Sequence, residues 1–419
     1  MGPRARLPGA VDVDRIVCHV DMDCFYAACE RLREPALRGE PVVVGMGFEP
    51  GESHGAVATA SYEARAFGIE SAMGISEALD RLPRKVDVAG TDHPVDEAGF
   101  YRTVDMDYYE SVAADVKEIL HDAADTVREV SVDEAYLDVT ERTDWESVES
   151  FAQALKAEIT EEVGVTASVG VAPTMSAAKV ASDHDKPDGL VVVEPGEVAE
   201  FFAPLDVEAV HGVGPVTAGE LRELGIETAG DLADADREVL DERFGERGTQ
   251  VARFARGDDD RAVEPQDRPK SLSRESAISE QRDDGEFHRE RLRDLAAAVA
   301  ARADERDVLY QTIAIKVVTP PFDVQTRARS LSGPVADADL VQEVGLSLFE
   351  EFAGETVRKL GVRVSNLSFG EESQPSLAEW EGETATDGAG GEDAAADERG
   401  GDEGDGVTRV GQRRLDEFT

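Results

Sequence analysis

Apolar positions along this chain change period several times, and each change marks an element. Ile16-Val-Cys-His-Val20 is a short apolar run that reads as a buried strand, and Cys24 to Arg33 then takes helical spacing. Pro41-Val-Val-Val-Gly45 predicts a second strand. A Gly/Glu/Pro/Ser loop follows, then a strand at Ala56–Ala60 and a helix opening at Ser61, a possible cap, toward Phe67. Further on, the pattern predicts an amphipathic helix from Tyr109 to Ala123 and a strand–turn–strand over Val127–Val139. A helix at Glu146–Val163, a strand at Thr166–Val171 and a helix at Thr174–Asp183 come next. Residues 87–101 are polar and fit no element.

Past Pro195 the chain turns to short helices and glycines as far as Gly257, and Asp258 to Pro269 reads as a linker. A second globular unit of mixed strands and helices spans residues 270–369. Residues 1–14 read as a loose extension with no apolar stretch of a signal peptide. Residues 370–411 are Gly, Ala and acid with too little apolar surface to fold, after which the last eight residues turn amphipathic again. No internal repeat is apparent.

Composition narrows the class. The 419 residues are 41% hydrophobic, which excludes wholesale disorder, and no apolar run approaches the ~20 residues of a membrane-spanning helix. Cys18, Cys24 and Cys29 lie too close together for a disulfide framework, and no Cys or His pairs complete a zinc site. They read as small core residues of a cytoplasmic protein. The formal charge is −47, and eight lysines stand against 35 arginines. The acidic tail carries a net −11, so most of the excess is spread over the rest of the chain. An acidic, lysine-poor surface suits a halophilic cytoplasm, where molar salt shortens the screening length to about 3 Å. A charge of −47 taken as a whole argues against nucleic-acid binding, so any such contact must come from local features, and residues 270–369, at a net of only −3, are close to neutral.

Two constellations carry candidate chemistry. In His19-Val-Asp21-Met-Asp23-Cys-Phe-Tyr26, acids at i and i+2 close a buried strand and share one face if it stays extended. In Ser131-Val-Asp133-Glu134-Ala-Tyr136-Leu-Asp138, adjacent acids sit at a turn between apolar residues. Acids in such settings are costly unless paired or metal-bound. Three carboxylates meeting on one sheet would hold two hard cations about 3.5–4 Å apart, the arrangement that aligns attacking and leaving oxygens in phosphoryl transfer. Spacing alone leaves open the alternative of two turns with exposed acids.

These strings, with Gly55-Ala-Val-Ala-Thr-Ala-Ser-Tyr62-Glu-Ala-Arg65, Lys186-Pro-Asp-Gly-Leu190 and Val210-His-Gly-Val-Gly-Pro…Leu224-Gly-Ile226, closely resemble the Y-family DNA polymerases of the DNA polymerase IV branch. The likeness runs in order over about residues 15–369. It implies an α+β right-hand polymerase: a ferredoxin-like palm (15–33 and 93–193), small fingers (34–92), a helix–hairpin–helix thumb (194–257) and an α+β little finger (270–369), with residues 258–269 as linker. It implies template-directed, low-fidelity translesion synthesis without a proofreading exonuclease domain. Asp21, Asp133 and Glu134, with the Met22 carbonyl, would hold two Mg²⁺ ions, for which Mn²⁺ is a possible substitute. Asp23 fits the string as a local cap rather than a ligand.

By the same resemblance, Phe25 and Tyr26 lie against the nucleotide, with Tyr26 as the steric gate that excludes a ribose 2′-hydroxyl. Thr59, Tyr62, Arg65 and Lys186 resemble a triphosphate clamp, a set of fork donor, point charge and hydroxyls suited to phosphates. Ala56 and Ala58 match positions over the nascent base pair, where small side chains leave room for damaged templates. Ser131 matches a polar residue beside the acids.

Gly212 and Gly214 form a helix–hairpin–helix turn that binds a DNA backbone phosphate through helix amides. No third glycine in a strand–turn–helix unit follows to make it a dinucleotide loop. Lys270 and Arg274 are phosphate-contact candidates on the first strand of the little finger. Gln412-Arg-Arg-Leu415-Asp-Glu-Phe418-Thr419 resembles the peptide that docks partners on the sliding clamp (PCNA), with Leu415 and Phe418 as plug and Gln412 in a polar pocket. The usual second aromatic is replaced by Thr419.

Residues 88–101 look like an insertion with no assigned role. The expected partners are primer–template DNA, deoxynucleoside triphosphates and the clamp, for a monomeric enzyme of halophilic archaeal type with no membrane association. The rival readings are a clamp-bound adaptor without catalysis and another palm-domain enzyme such as a nucleotide cyclase. The complete carboxylate set argues against the first, and the helix–hairpin–helix with a DNA-binding unit after it against the second.

Overall fold

A computed structural model of the chain describes residues 15–282 and 284–369, so the N-terminal extension, the acidic tail and the clamp-like peptide with Gln412, Leu415 and Phe418 lie outside the described residues. The chain divides into two compact units, one ending at Gln266 and the other beginning at Asp267.

The first unit contains eight strands: β1 (Val17–Met22), β2 (Val42–Met46), β3 (Ala56–Ala60), β4 (Phe100–Thr103), β5 (Thr126–Glu129), β6 (Glu134–Asp138), β7 (Ala167–Ala172) and β8 (Leu190–Val192). Its larger sheet runs β5-β6-β1-β7-β8, with β1 antiparallel to both neighbours. Every residue of β1 is buried, because the strand is covered on both faces. Cys18, Val20 and Met22 join Tyr109, Val112, Val116 and Leu120 of helix Met106–Ala123 and Leu155 and Ile159 of helix Val148–Glu162 in one core. Val17 belongs to the opposite core, with Ala177, Ala178 and Ala181 of helix Met175–His184. Strand alternation therefore sends His19 and Asp21 to the same face as Val17, under that second helix.

Gly170 on β7 is what lets this helix come so close. A Cβ there would stand 2.1 Å from the Ala178 carbonyl oxygen and 2.2 Å from the Ser182 amide nitrogen. The helix starts after Thr174, whose hydroxyl accepts the Ala177 amide, while the Asp259 carboxylate accepts the Ser176 amide at 2.9 Å.

The smaller sheet, β3-β2-β4, packs Val43, Val57, Phe48, Ile75 and Leu82 beneath it. β4 pairs in parallel with β2, so Phe100–Thr103 join this sheet and not the one that carries Asp21, although they fall within the 93–193 range that the resemblance implies for the palm. The stretch 87–101 contains a short 3₁₀ turn at Val95–Glu97 and the start of β4, elements whose apolar content is too small to register as a period. Helices from Val198 to Ala255 follow, with Val210, Val213, Ala218, Leu221 and Phe254 in their core. The segment after them is less of a spacer than its prolines and acids suggest. Asp259 and Val263 are buried, and Arg15 donates to the carbonyls of Asp259, Arg261 and Pro173.

The second unit is an antiparallel sheet in the order β11-β10-β12-β9, built of β9 (Ser271–Arg282), β10 (Val308–Thr319), β11 (Asp323–Val335) and β12 (Val357–Phe369). Helices Gly285–Glu305 and Ala338–Phe349 cover one face of it through Leu292, Val299, Val344 and Leu348. Among the described residues no helix is long and apolar enough to cross a membrane.

Candidate active site

Asp21 stands at the end of β1 directly opposite Glu134, the first residue of β6, so the two carboxylates leave neighbouring strands on one face. The Lys179 ammonium lies between them, 2.8 Å from Asp21 Oδ2 and 2.7 Å from Glu134 Oε1. Lys186 reaches the other oxygen of Asp21 at 2.7 Å, and Asp183 pairs with both lysines at 3.3 and 2.8 Å. Three carboxylates and two ammonium groups thus form one charged network at the sheet edge.

Burial pushes the Asp21 carboxyl up, but Lys179 and Lys186 outweigh it and hold the group down at about 2. Glu134 is raised, chiefly by burial. Burial works against the charge on Lys179, yet Asp21, Asp183 and Glu134 raise it above the ordinary lysine value. His19, on the same face of β1, meets Ser182 through Nδ1 at 2.7 Å, and its buried Nε2, 3.9 Å from Glu134 Oε2, has no hydrogen-bond partner among the described residues. Burial, followed by the Lys179 charge, holds its pKa well below the usual histidine value, so the ring is neutral.

Asp133 is arranged differently. Its carbonyl accepts the Met22 amide at 2.9 Å, which locks the turn to the end of β1. Ser131 Oγ donates to the Asp133 carboxylate at 2.6 Å and accepts the amides of Asp133 and Glu134 at 3.2 and 3.0 Å. Ser131 therefore shapes the turn that presents both acids. Among the described residues no three carboxylate, imidazole or thiolate side chains gather closely enough to form a metal's inner shell, with Asp133 engaged by Ser131. Asp21 and Glu134 nonetheless converge on one positive charge, the Lys179 ammonium. A pair of hard oxygen donors that shares an ammonium in this way suits a divalent cation.

Asp23 is not the local cap that its position suggests. The helix Phe25–Arg33 has no side-chain cap, and the Asp23 carboxylate instead accepts the Tyr62 hydroxyl, the Ser168 hydroxyl and the Asp188 amide. Cys24, the next residue, is left-handed at φ 38°. Cys18 and Cys29 are buried and Cys24 half-buried, and burial pushes their thiols up to between about 11 and about 12, as befits inert core residues.

Phe25 is buried in the core beneath β1, whereas Tyr26 is half-buried and stacks on Tyr109. Burial and then the Asp133 charge raise the Tyr26 hydroxyl. Ala56, Ala58 and Thr59 lie half-buried on β3, and Tyr62 and Arg65 on the turn of helix that Ser61 caps. The Arg65 guanidinium sits 4.8 Å from the Tyr62 ring and donates to the Ala60 carbonyl at 3.0 Å. Gly212 takes φ 90° in the turn before helix Pro215–Glu223, with Gly214 at its N-cap. Lys270 and Arg274 are exposed in the second unit, Arg274 on β9 opposite Val362.

Sequence reasoning missed Lys179, Asp183, Ser168 and Tyr109. In a chain with eight lysines, Lys179 in the predicted helix Thr174–Asp183 and Lys186 seven residues later were the available signal for Lys179. Nothing local marked Ser168 or Tyr109, which act across distant strands and helices.

Known proteins share this framework. Residues 20–183 match the impB/mucB/samB family, 195–226 its helix–hairpin–helix motif and 269–377 its C-terminal domain. The chain is 60% identical to a DNA polymerase IV of Halobacterium salinarum over 92% of its own length and 93% of that protein's. It is 40% identical to the DNA polymerase IV of Methanoculleus marisnigri, over 87% and 98% of the two. Among solved structures it resembles a Y-family DNA polymerase chimera of Dbh and Dpo4, with TM-score 0.74 and 28% identity over 84% of this chain and 99% of that one. An insertion ternary complex of Dbh DNA polymerase matches with TM-score 0.59 and 26% identity over the same shares. With its three matched segments in order and relatives this similar over nearly their whole length, the chain belongs to the impB/mucB/samB family, alongside the DNA polymerase IV members of the Y-family polymerases.

Proposed function

We propose that the chain is a DNA-directed DNA polymerase that carries out low-fidelity translesion synthesis by two-metal-ion nucleotidyl transfer. The observation that carries the mechanism is the register of Asp21 opposite Glu134, with both carboxylates converging on a single cation. Asp21, Glu134, Asp133 and the Met22 carbonyl would hold the two Mg²⁺ ions, with Mn²⁺ as substitute. Ions held there would supply the chemistry of a more acidic primer 3′-hydroxyl and of charge neutralisation at the leaving diphosphate.

The chain's own residues supply the rest. Asp21 stays ionised at any physiological pH, since it is held down at about 2. Ser131 fixes the turn that presents Asp133 and Glu134. Tyr26 fills the space beside the sugar, Ala56 and Ala58 leave room over the base pair, and Thr59, Tyr62, Arg65 and Lys186 hold the triphosphate. The Gly212–Gly214 turn of the proposed thumb, with Lys270 and Arg274 of the proposed little finger, holds the DNA backbone.

The acidic, lysine-poor composition and the Halobacterium relative support a halophilic archaeal cytoplasm as its setting. Gln412, Leu415 and Phe418 are proposed to dock the otherwise monomeric enzyme on the sliding clamp. Substituting Leu415 and Phe418 by alanine is then expected to abolish stimulation by the clamp and to leave distributive extension intact. Primer extension with Mg²⁺ tests the polymerase reading itself. Wild type extends, Asp21→Asn does not, and extension by both would refute the metal role.

A further inference from the structure

The Asp23 carboxylate is buried, yet it makes no ion pair with the lysines that crowd Asp21 two residues away. Its three partners are neutral donors from three separate segments: the Tyr62 hydroxyl at 3.1 Å, Ser168 Oγ at 2.9 Å and the Asp188 amide at 2.8 Å. Ser168 Oγ in turn accepts the Gly189 amide at 3.1 Å, so two successive amides of the loop after Lys186 are held from the same side. From the other side Lys156 reaches the Gly189 carbonyl and the Asp188 carboxylate, each at 3.0 Å. A carboxylate buried this deeply persists only if its donors are well placed. Cys24, next to it, is kept in a left-handed conformation that is unfavourable for a non-glycine residue.

We infer that Asp23 is a positioning residue, which sets Tyr62 and Lys186 at a fixed distance from Asp21 so that triphosphate and metal carboxylates come into register. Tyr62 sits at the edge of the smaller sheet and Lys186 in the loop before β8, and Asp23 is the one side chain described here that bonds to both segments. Its carboxylate is taken up by Tyr62, Ser168 and the Asp188 amide. Its effect passes through the two groups it orients, and displacements of about 1 Å at such groups are worth up to 10²-fold in rate. The inference rests on the polymerase reading above.

The test is steady-state single-nucleotide insertion by the full chain, with pyrophosphate inhibition and DNA affinity measured alongside. Asp23→Asn keeps the shape but turns one acceptor into a donor. It is expected to raise KM for the nucleotide and the inhibition constant for pyrophosphate about tenfold, with DNA affinity unchanged. Because Asp23 works through Tyr62 and Lys186, the same substitution costs distinctly less in a Tyr62→Phe or Lys186→Met background. Ser168→Ala, which removes one of the three bonds, gives a smaller change of the same kind and serves if Asp23→Asn folds poorly. Full additivity in both backgrounds, or an unchanged KM and pyrophosphate constant, overturns the inference. Wild type and Asp21→Asn run in parallel separate the two levels: no insertion even by wild type would refute the polymerase reading itself, whereas insertion by Asp21→Asn would refute only the metal role of Asp21.

Discussion

The Tyr26 ring lies stacked on Tyr109, with centroids 4.7 Å apart and planes 16° from parallel. Tyr109 is fully buried and donates its hydroxyl to Glu30 at 2.8 Å, and Glu30 lies one helical turn beyond Tyr26. The proposed steric gate therefore does not stand free, because its face is set by a buried tyrosine that is anchored in turn. Tyr109→Leu is expected to raise ribonucleotide insertion relative to deoxyribonucleotide by about tenfold, the order of an aromatic pair's worth. Tyr26→Ala raises it further. Competition between the two nucleotide types on one primer–template measures both, and a Tyr109→Leu enzyme with wild-type discrimination would detach Tyr109 from the gate.

Gly170 offers a stability test aimed at the same site. A methyl group there meets backbone of the helix that carries Lys179, at 2.1 and 2.2 Å. Neither contact can relax by a side-chain rotation, so the helix must lift. Gly170→Ala is expected to cost about 3 kcal/mol in urea unfolding, at the upper end of overpacking effects. Extension should fall more than the loss of folded protein explains, because Lys179 and Lys186 move with the helix and the loop that follows it.

Asp259 links the segment after helix Glu246–Ala255 to the first turn of helix Met175–His184. Burial raises its carboxyl, but hydrogen bonds and charge from Arg261, with the Ser176 amide, outweigh it and hold the group below its ordinary value of 3.8. The folded chain thus binds this proton less readily than the unfolded chain does. The contribution is complete above the unfolded value and fades as pH falls through the lower folded one. Asp259→Asn is expected to cost about 2 kcal/mol near neutral pH. The gap from wild type should shrink below about pH 4, and a gap that is constant down to about pH 2 would contradict this.

The net charge of −47 makes salt a variable of the fold. At about 0.1 M salt the screening length is near 10 Å and acidic residues repel across the surface, whereas at about 1 M it is near 3 Å. The melting temperature of the chain is expected to climb steadily with KCl over this range. A flat or falling profile would count against halophilic adaptation.

The sequence made the strands and helices of the palm legible because each has a strong period: β1, helix Met106–Ala123 and helix Val148–Glu162 lie within a few residues of their predicted bounds. Asp21 and Glu134 stood out as acids bordered by apolar residues, but spacing alone left exposed turns open, and their opposition across β1 and β6 is visible only in the register. Asp23 defeated the same logic. Its partners Tyr62, Ser168 and Asp188 are 39, 145 and 165 residues away, and no local pattern reports bonds made across that separation. β4 was missed because four residues at a sheet edge carry too little periodicity, and Asp259 because a buried acid inside an acidic, proline-rich stretch looks like its exposed neighbours.

Bypass of an abasic site on a primed template, in molar KCl with Mg²⁺, bears most directly on the central claim. Wild type is compared with an Asp133→Asn/Glu134→Gln variant whose fold and DNA affinity are checked. Extension past the lesion by wild type alone is the predicted result. Absence of extension by both, with DNA still bound, would contradict it and leave a clamp-bound adaptor as the better account of this chain.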